Sequence, residues 1–330
     1  MIIDVHTHIV PEHFPTAPAG IGEAWPFMDH TAPGQANVMI NGRNYRTVTD
    51  QCWSLPRRMS ELPGQGIDRQ VLSPMPQLLN YRLSLDAGRD LARFLNEAIA
   101  TMVEAEPGRF YGLGSVPLQD PEAAARELAS IKSLGLRGVE ITTNVNGVSP
   151  GDARFFPFWR EVAAQGLCVF MHAQDPTFTD RLVGPAYVAN AVGFPVENTL
   201  AVASLFTGGV LEACPDLRVC CSHGAGGFPE LLPRIRHLWP GNDAMQEAMP
   251  NDPLAYARAL FYDEVVFDTR AVRYLIDLMG VDRVLIGSDY PFMSRESTPD
   301  EEFDALGLSA SEREAVGWRN CLRFLGVSEA

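Results

Sequence analysis

The sequence predicts an α/β protein, a (β/α)8 TIM barrel with a small hairpin flap inserted after its first strand. Eight short apolar or β-branched runs recur along the chain, and segments of helical period lie between them. Near-continuous apolar strands alternating with helices make a parallel sheet covered on both faces, and eight of them suggest closure into a barrel. The length of 330 residues fits one such unit, because α/β barrels routinely pass about 200 residues as a single domain. Residues 1–330 are therefore read as one domain.

In chain order, the runs place strands at residues 2–5, 70–73, 110–115, 138–142, 167–171, 217–222, 264–268 and 283–287. Each ends in a polar or Gly/Pro-rich stretch, the punctuation that closes a buried strand. Periodicity near 3.6 predicts helices over residues 85–105, 121–134, 155–165, 197–213, 227–238 and 271–279. Two stretches break the rhythm. Residues 10–66 form a long Pro- and Gly-rich excursion, in which residues 38–46 read as a hairpin turning at Asn41-Gly42. This is the predicted flap over the barrel mouth. Residues 174–193 form a second long segment, expected to line the pocket.

Composition narrows the function. With 46% hydrophobic residues there is ample material for a core. A net charge of -15 disfavours nucleic acid, which is held by clustered Lys and Arg. No run approaches the ~20 apolar residues of a membrane span, and the start lacks a basic segment leading into an apolar one, so a cytoplasmic location is expected. The six cysteines lack paired metal-binding spacings and several lie in apolar runs. They read as reduced core residues.

The chemistry concentrates at strand ends. His6 and His8 follow the first run, and the period of two puts both imidazoles on one side. His172 ends the fifth run, His223 ends the sixth, and Asp289 follows the eighth. In a parallel barrel every strand C-terminus opens on one face, where active sites are built. Four of the chain's seven histidines thus converge with one carboxylate. Imidazoles plus a carboxylate suit Zn(II), with Mn(II) or Fe(II) possible on ligand type. A catalytic ion needs an open position, so not all five groups should bind it. His223 is the candidate for the free group. The Gly-rich stretch from His223 to Pro229 lacks the spacing and Lys-Ser/Thr ending of a phosphate loop. His13, His30 and His237 have no strand-end placement, whereas Trp53, Tyr290 and Phe292 are candidate pocket walls or packing residues.

Five motifs carry a resemblance: Asp4-Val5-His6-Thr7-His8, Gly112-Leu113-Gly114-Ser115-Val116-Pro117-Leu118-Gln119, Phe170-Met171-His172, Ser222-His223-Gly224-Ala225-Gly226-Gly227-Phe228-Pro229, and Gly287-Ser288-Asp289-Tyr290-Pro291-Phe292. Together they resemble the amidohydrolase superfamily, in its 2-amino-3-carboxymuconate-6-semialdehyde decarboxylase-like branch, over nearly the whole chain. The resemblance implies a mononuclear Zn(II) site with His6, His8, His172 and Asp289 as ligands, and His223 as the acid/base; Asp289, as a ligand near His223, is expected to share the proton work. It implies Arg46 as the clamp on a small-molecule carboxylate substrate, a role suited to a guanidinium, and a homodimer. Two departures bear on substrate: Asn242 stands where the branch places an arginine that crosses a dimer interface, and the branch's pocket tryptophan is replaced within residues 187–190.

The expected function is metal-dependent non-oxidative decarboxylation of an aromatic or unsaturated carboxylic acid. The alternative is hydrolysis or hydration of a ring-cleavage product or related carbonyl compound by the same residues. A non-catalytic metal-binding barrel would need the acid/base lost or the mouth filled, and His223 and Arg46 both speak against it.

Overall fold

Strand β1 (Ile3–Ile9) is buried along its whole length, because its side chains meet either the barrel interior or the surrounding helices. The computed structural model describes residues 1–293 and 295–328. After β1 come β2 (Phe27–Ala32), β3 (Gln35–Ile40) and β4 (Arg43–Thr49), which pair antiparallel as a separate three-stranded sheet. The barrel resumes with β5 (Arg69–Pro74), β6 (Phe110–Gly114), β7 (Gly138–Thr142), β8 (Cys168–His172), β9 (Arg218–Cys221), β10 (Phe261–Asp263) and β11 (Val284–Leu285). These run parallel in the order β1-β5-β6-β7-β8-β9-β10-β11. The seam closes where Val5 N–H donates to Ile286 O at 2.9 Å, His8 N–H to Tyr290 O at 2.8 Å, and Asp289 N–H to His6 O at 2.9 Å.

The expected eight-stranded barrel is thus present, with three local corrections. The seventh strand is β10, not residues 264–268. Phe261 and Tyr262 pair with Cys220 and Cys221, and after Glu264 N–H bonds Leu285 O the chain turns away, reaching a left-handed Phe267 at φ 59°. The first strand also extends through His8, because His8 and Ile9 still pair with Ser73 and Pro74. The excursion over 10–66 is a three-stranded sheet rather than a lone hairpin, and its end is a barrel helix, α1 (Leu55–Gln65). Ser54 caps α1 by accepting from Arg57 N–H, and a left-handed Gly66 ends it.

Further helices cover the barrel: α2 (Leu85–Ala105), α3 (Pro121–Ser133), α4 (Phe156–Gln165), α5 (Phe194–Thr207), α6 (Val210–Ala213) and α7 (Phe228–Leu238). Ser84 and Asp120 cap α2 and α3 through Ala87 N–H and Ala123 N–H. The helix expected over 197–213 breaks into α5 and α6 at Gly208-Gly209, where Gly209 takes φ 74°. Inside the barrel, the end away from the mouth is filled by Ile3, Val5, Val71, Leu113, Phe170 and Cys220, against Leu322 and Phe324 of the C-terminal helix. The flap is seated on the barrel through one shared apolar cluster, in which Trp25, Val38, Val48 and Cys52 meet Met75 and Leu78 after β5 and Leu91 and Leu95 of α2. All six cysteines are buried and free. Among the described residues no helix is long and apolar enough to cross a membrane.

Candidate metal centre

The strand ends bring His6, His8, His172, His223 and Asp289 together at the barrel mouth. One ligand atom each from His6, His172, His223 and Asp289 lies within 4.8 Å of the others. His8 adjoins this group, with Nε2 3.1 Å from His6 Nε2 and 3.2 Å from Asp289 Oδ1. The ring of His6 lies 4.9 Å from that of His172 and 5.1 Å from that of His223. Three rings are held from behind through Nδ1: His6 on Asp263 Oδ2 at 2.6 Å, His8 on Pro74 O at 3.0 Å, and His172 on Ala173 O at 2.8 Å. Acceptors on Nδ1 fix the tautomer and leave Nε2 with its lone pair facing inward. Three bare imidazole nitrogens around one carboxylate are a poor packing arrangement and a good donor set for a divalent ion. The buried Nε2 of His172 has no hydrogen-bond partner, which fits an atom arranged for an ion rather than for another side chain.

Electrostatics agrees with this geometry. Burial pushes His8 and His223 down, and His172 well down with help from its imidazole neighbours. For His6 burial also pushes downward, but Asp263 and the other carboxylates prevail and raise it to about 9. Burial opposes the charge on Asp289, yet His8 and the other imidazoles hold the carboxyl well below its ordinary range. His8, His172 and His223 are thus held neutral around a firmly ionised carboxylate, while His6 keeps its second proton until an ion displaces it.

His223 and Asp289 share a further property: both are non-glycine residues in the left-handed region, at φ 51° and 61°. Such conformations cost on the order of 1–3 kcal/mol and persist where the surroundings over-determine them. For His223 the surroundings are a run of positive φ through Ala225 and Gly226. A Cβ on Gly226 would stand 1.9 Å from Pro195 O, so the glycine-rich stretch provides close backbone approach and a sharp turn.

Sequence reasoning missed Asp263. Its Oδ1 accepts from Gly224 N–H and Val265 N–H, both at 3.1 Å, while Oδ2 holds His6. One buried carboxylate thus fixes an imidazole and the loop bearing His223. The signal was the Asp263-Glu264 pair after Phe261-Tyr262, which the misplaced seventh strand obscured. Glu140 of β7 was also missed. It is fully buried 3.9 Å from His8 Nδ1, and burial pushes its carboxyl well above the ordinary range.

Arg46 sits on β4 of the flap, its guanidinium 4.3 Å over the Phe292 ring, which stacks on His8 at 5.6 Å. The β3–β4 register skips Tyr45, since Val38 faces Arg46 and Met39 faces Asn44. This bulge puts Tyr45 and Arg46 on the same cavity of about 1110 Å3, with Asn144, Gln174 and Asn190 on its other walls. Segment 174–193 does line the pocket, as expected. Asn242 lies away from it, capping the short helix Asp243–Ala248. Trp53 packs edge-on to His30 in the flap, and Tyr290 lies under a buried arginine, Arg58.

A closed parallel barrel with a cluster of histidines and an aspartate at the C-terminal mouth places the chain among barrels built around a mouth-facing metal centre. More particularly, it belongs to the amidohydrolase family, whose model matches residues 3–327. It is 36% identical over 330 residues to the 2-amino-3-carboxymuconate-6-semialdehyde decarboxylase of Dictyostelium discoideum, covering 98% of this chain and 91% of the relative. Its fold is similar to that of 5-carboxyvanillate decarboxylase from Sphingomonas paucimobilis, with a TM-score of 0.78, 22% identity and 99% of both chains covered. It is likewise similar to a dihydroxybenzoic acid decarboxylase from Polaromonas solved with bound manganese, with a TM-score of 0.75, 22% identity, and 100% and 98% of the two chains covered.

Proposed function

We propose that this chain is a divalent-metal-dependent, non-oxidative decarboxylase of an aromatic or unsaturated carboxylic acid. The observation that carries the reading is the convergence of inward-facing Nε2 atoms of His6, His8 and His172 on Asp289, beside a flap arginine that lies over the Phe292 ring stacked on His8. His6, His8, His172 and Asp289 would hold the ion, with Zn(II) favoured by the donor set and Mn(II) the alternative. When bound, the ion supplies Lewis acidity that polarises a substrate oxygen. Arg46 holds a carboxylate through two parallel hydrogen bonds, and Phe292 offers a flat face to a planar ring. The carbon–carbon bond to the carboxylate breaks, CO2 leaves, and the carbon left behind takes a proton. His223 relays that proton from water: burial keeps the resting ring neutral and able to take it up, and the same lowered proton affinity favours its release to the carbon. Asp289, beside it, shares the transfer.

The decarboxylase names of the Dictyostelium relative and of both structural neighbours support this chemistry over hydration. CO2 release from a panel of hydroxybenzoates and carboxymuconates, before and after chelation, tests it. Stoichiometric CO2 that disappears on metal removal and returns with Zn(II) or Mn(II) is the expected result. Activity that survives complete metal removal, or products that keep every carbon and gain water, would overturn it.

The reading extends to a cytoplasmic homodimer folded as one domain. Six buried free thiols suit a reducing compartment. Val196 and Leu200 on α5 and Leu231 and Leu238 on the contacting α7 are exposed apolar side chains that self-association would cover. A single monomer mass by light scattering at micromolar concentration would remove the dimer.

A further inference from the structure

Arg58 of α1 is fully buried, yet among the described residues it forms no ion pair with a carboxylate. Taking a guanidinium out of water costs several kcal/mol unless a counter-charge compensates. Here the partners are neutral. One terminal nitrogen donates to His8 O at 2.6 Å and to Gln51 O at 3.1 Å, the other donates to Gln70 Oε1 at 3.1 Å, and Nε has no partner. Its guanidinium carbon lies 4.7 Å over the Tyr290 ring, a cation–π contact that recovers part of the cost. Burial accordingly pushes Arg58 below the ordinary guanidinium range.

These partners gather at one place, the seam where the barrel closes. The backbone of His8 is gripped on both sides: its N–H donates to Tyr290 O at 2.8 Å and its carbonyl accepts from Arg58. Tyr290 follows Asp289 in the chain, and its hydroxyl donates to Glu61 Oε2 at 2.7 Å, one turn along α1 from Arg58. A single helix therefore holds the backbone of His8 with one side chain and the residue after Asp289 with two. The side chains so positioned are His8 Nε2 and Asp289 Oδ1, 3.2 Å apart.

We propose that Arg58 is a positioning residue that sets the spacing between His8 and Asp289 and thereby the affinity of the centre for its ion. This rests on the reading of His8 and Asp289 as ligands given above. A lysine in its place keeps the charge but offers a point donor instead of a planar fork, so it cannot span His8 O, Gln51 O and Gln70 together.

The test is Mn(II) affinity of the metal-free full-length protein, by competition with a chelating indicator, for the parent, Arg58→Met and Arg58→Lys. Folding is checked by circular dichroism and thermal melts, and the Co(II)-loaded proteins are compared by visible absorption. Loss of an outer-sphere partner typically weakens metal binding about 10–100-fold. That range is expected for Arg58→Met, with Arg58→Lys in between and the Co(II) d–d bands changed in both. If Arg58→Met does not fold, the lysine variant decides. A folded variant that binds Mn(II) within about twofold of the parent, with unchanged bands, overturns the inference while leaving the metal centre standing. A parent that binds no ion removes the centre itself.

Discussion

His6 and Asp263 are joined inside the barrel by a 2.6 Å hydrogen bond from imidazole Nδ1–H to carboxylate, with both side chains fully buried. The same carboxylate accepts from the backbone on either side, so the bond ties β1 to the loop that carries His223.

Replacing Asp263 with Asn keeps the shape and removes the charge. The amide no longer enforces the Nδ1–H tautomer of His6, and metal affinity should fall about 10–100-fold with a smaller loss of thermal stability. Chelator competition on the purified variant measures it. An unchanged affinity would show that the contact is mere packing.

The raised affinity of His6 for a proton sets a pH dependence. In the metal-free chain Asp263 holds that proton up to about pH 9, and an ion must displace it. A group whose folded pKa is raised contributes stability that is present below its ordinary value near ~6.5 and is lost as pH rises through the folded value. Metal-free protein should therefore lose stability between roughly pH 6.5 and 9, while Mn(II) affinity should rise by up to about tenfold per pH unit over that window. Isothermal titration in buffers of different ionisation enthalpy counts the released proton. A flat affinity profile would contradict the assignment.

Changing His223 to Asn removes the proton donor and leaves the proposed ligands in place. The expected outcome is a fall in kcat of about 10^2–10^4-fold, the range for loss of a general acid or base, with metal content by mass spectrometry near one per chain. Wild-type turnover in the variant would assign the proton work elsewhere.

Arg46 lies on the flap rather than on the ring of strands, so its loss should affect binding more than chemistry. Arg46→Met is expected to raise KM by about 10–100-fold, the equivalent of a charged hydrogen-bond pair of ~1.5–3 kcal/mol, with kcat altered less. Arg46→Lys should recover only part. Equal KM in all three proteins would end the clamp assignment.

Much of this fold could be read from the sequence because barrel strands are continuous apolar runs and the long helices are strongly periodic. The helix expected over 85–105 is α2 to the residue. Four histidines and Asp289 were legible for a related reason, since polar residues at the ends of apolar runs stand out. Asp263 did not, because β10 is only three residues long and the more strand-like Val265-Val266 drew the strand past it. Arg58 was invisible next to Arg57: the two look alike in sequence, and only the turn of α1 buries one of them completely. The bulge at Tyr45 was equally hidden, because pairing register is a relation between two strands.

The apolar seam between the flap and α2 has a consequence for how such a chain can diversify. Trp25, Val38, Val48 and Cys52 share one apolar cluster with Leu91 and Leu95 of α2, and the segment leaves the barrel after β1 and returns just before α1. The part that greets the substrate is therefore a cassette seated on one barrel helix, beside the ion-holding residues rather than among them. A flap that keeps its apolar underside matched to α2 can change which acid is accepted while the ion-holding strand ends stay as they are, so substrate range and reaction type can drift independently in descendants of one gene.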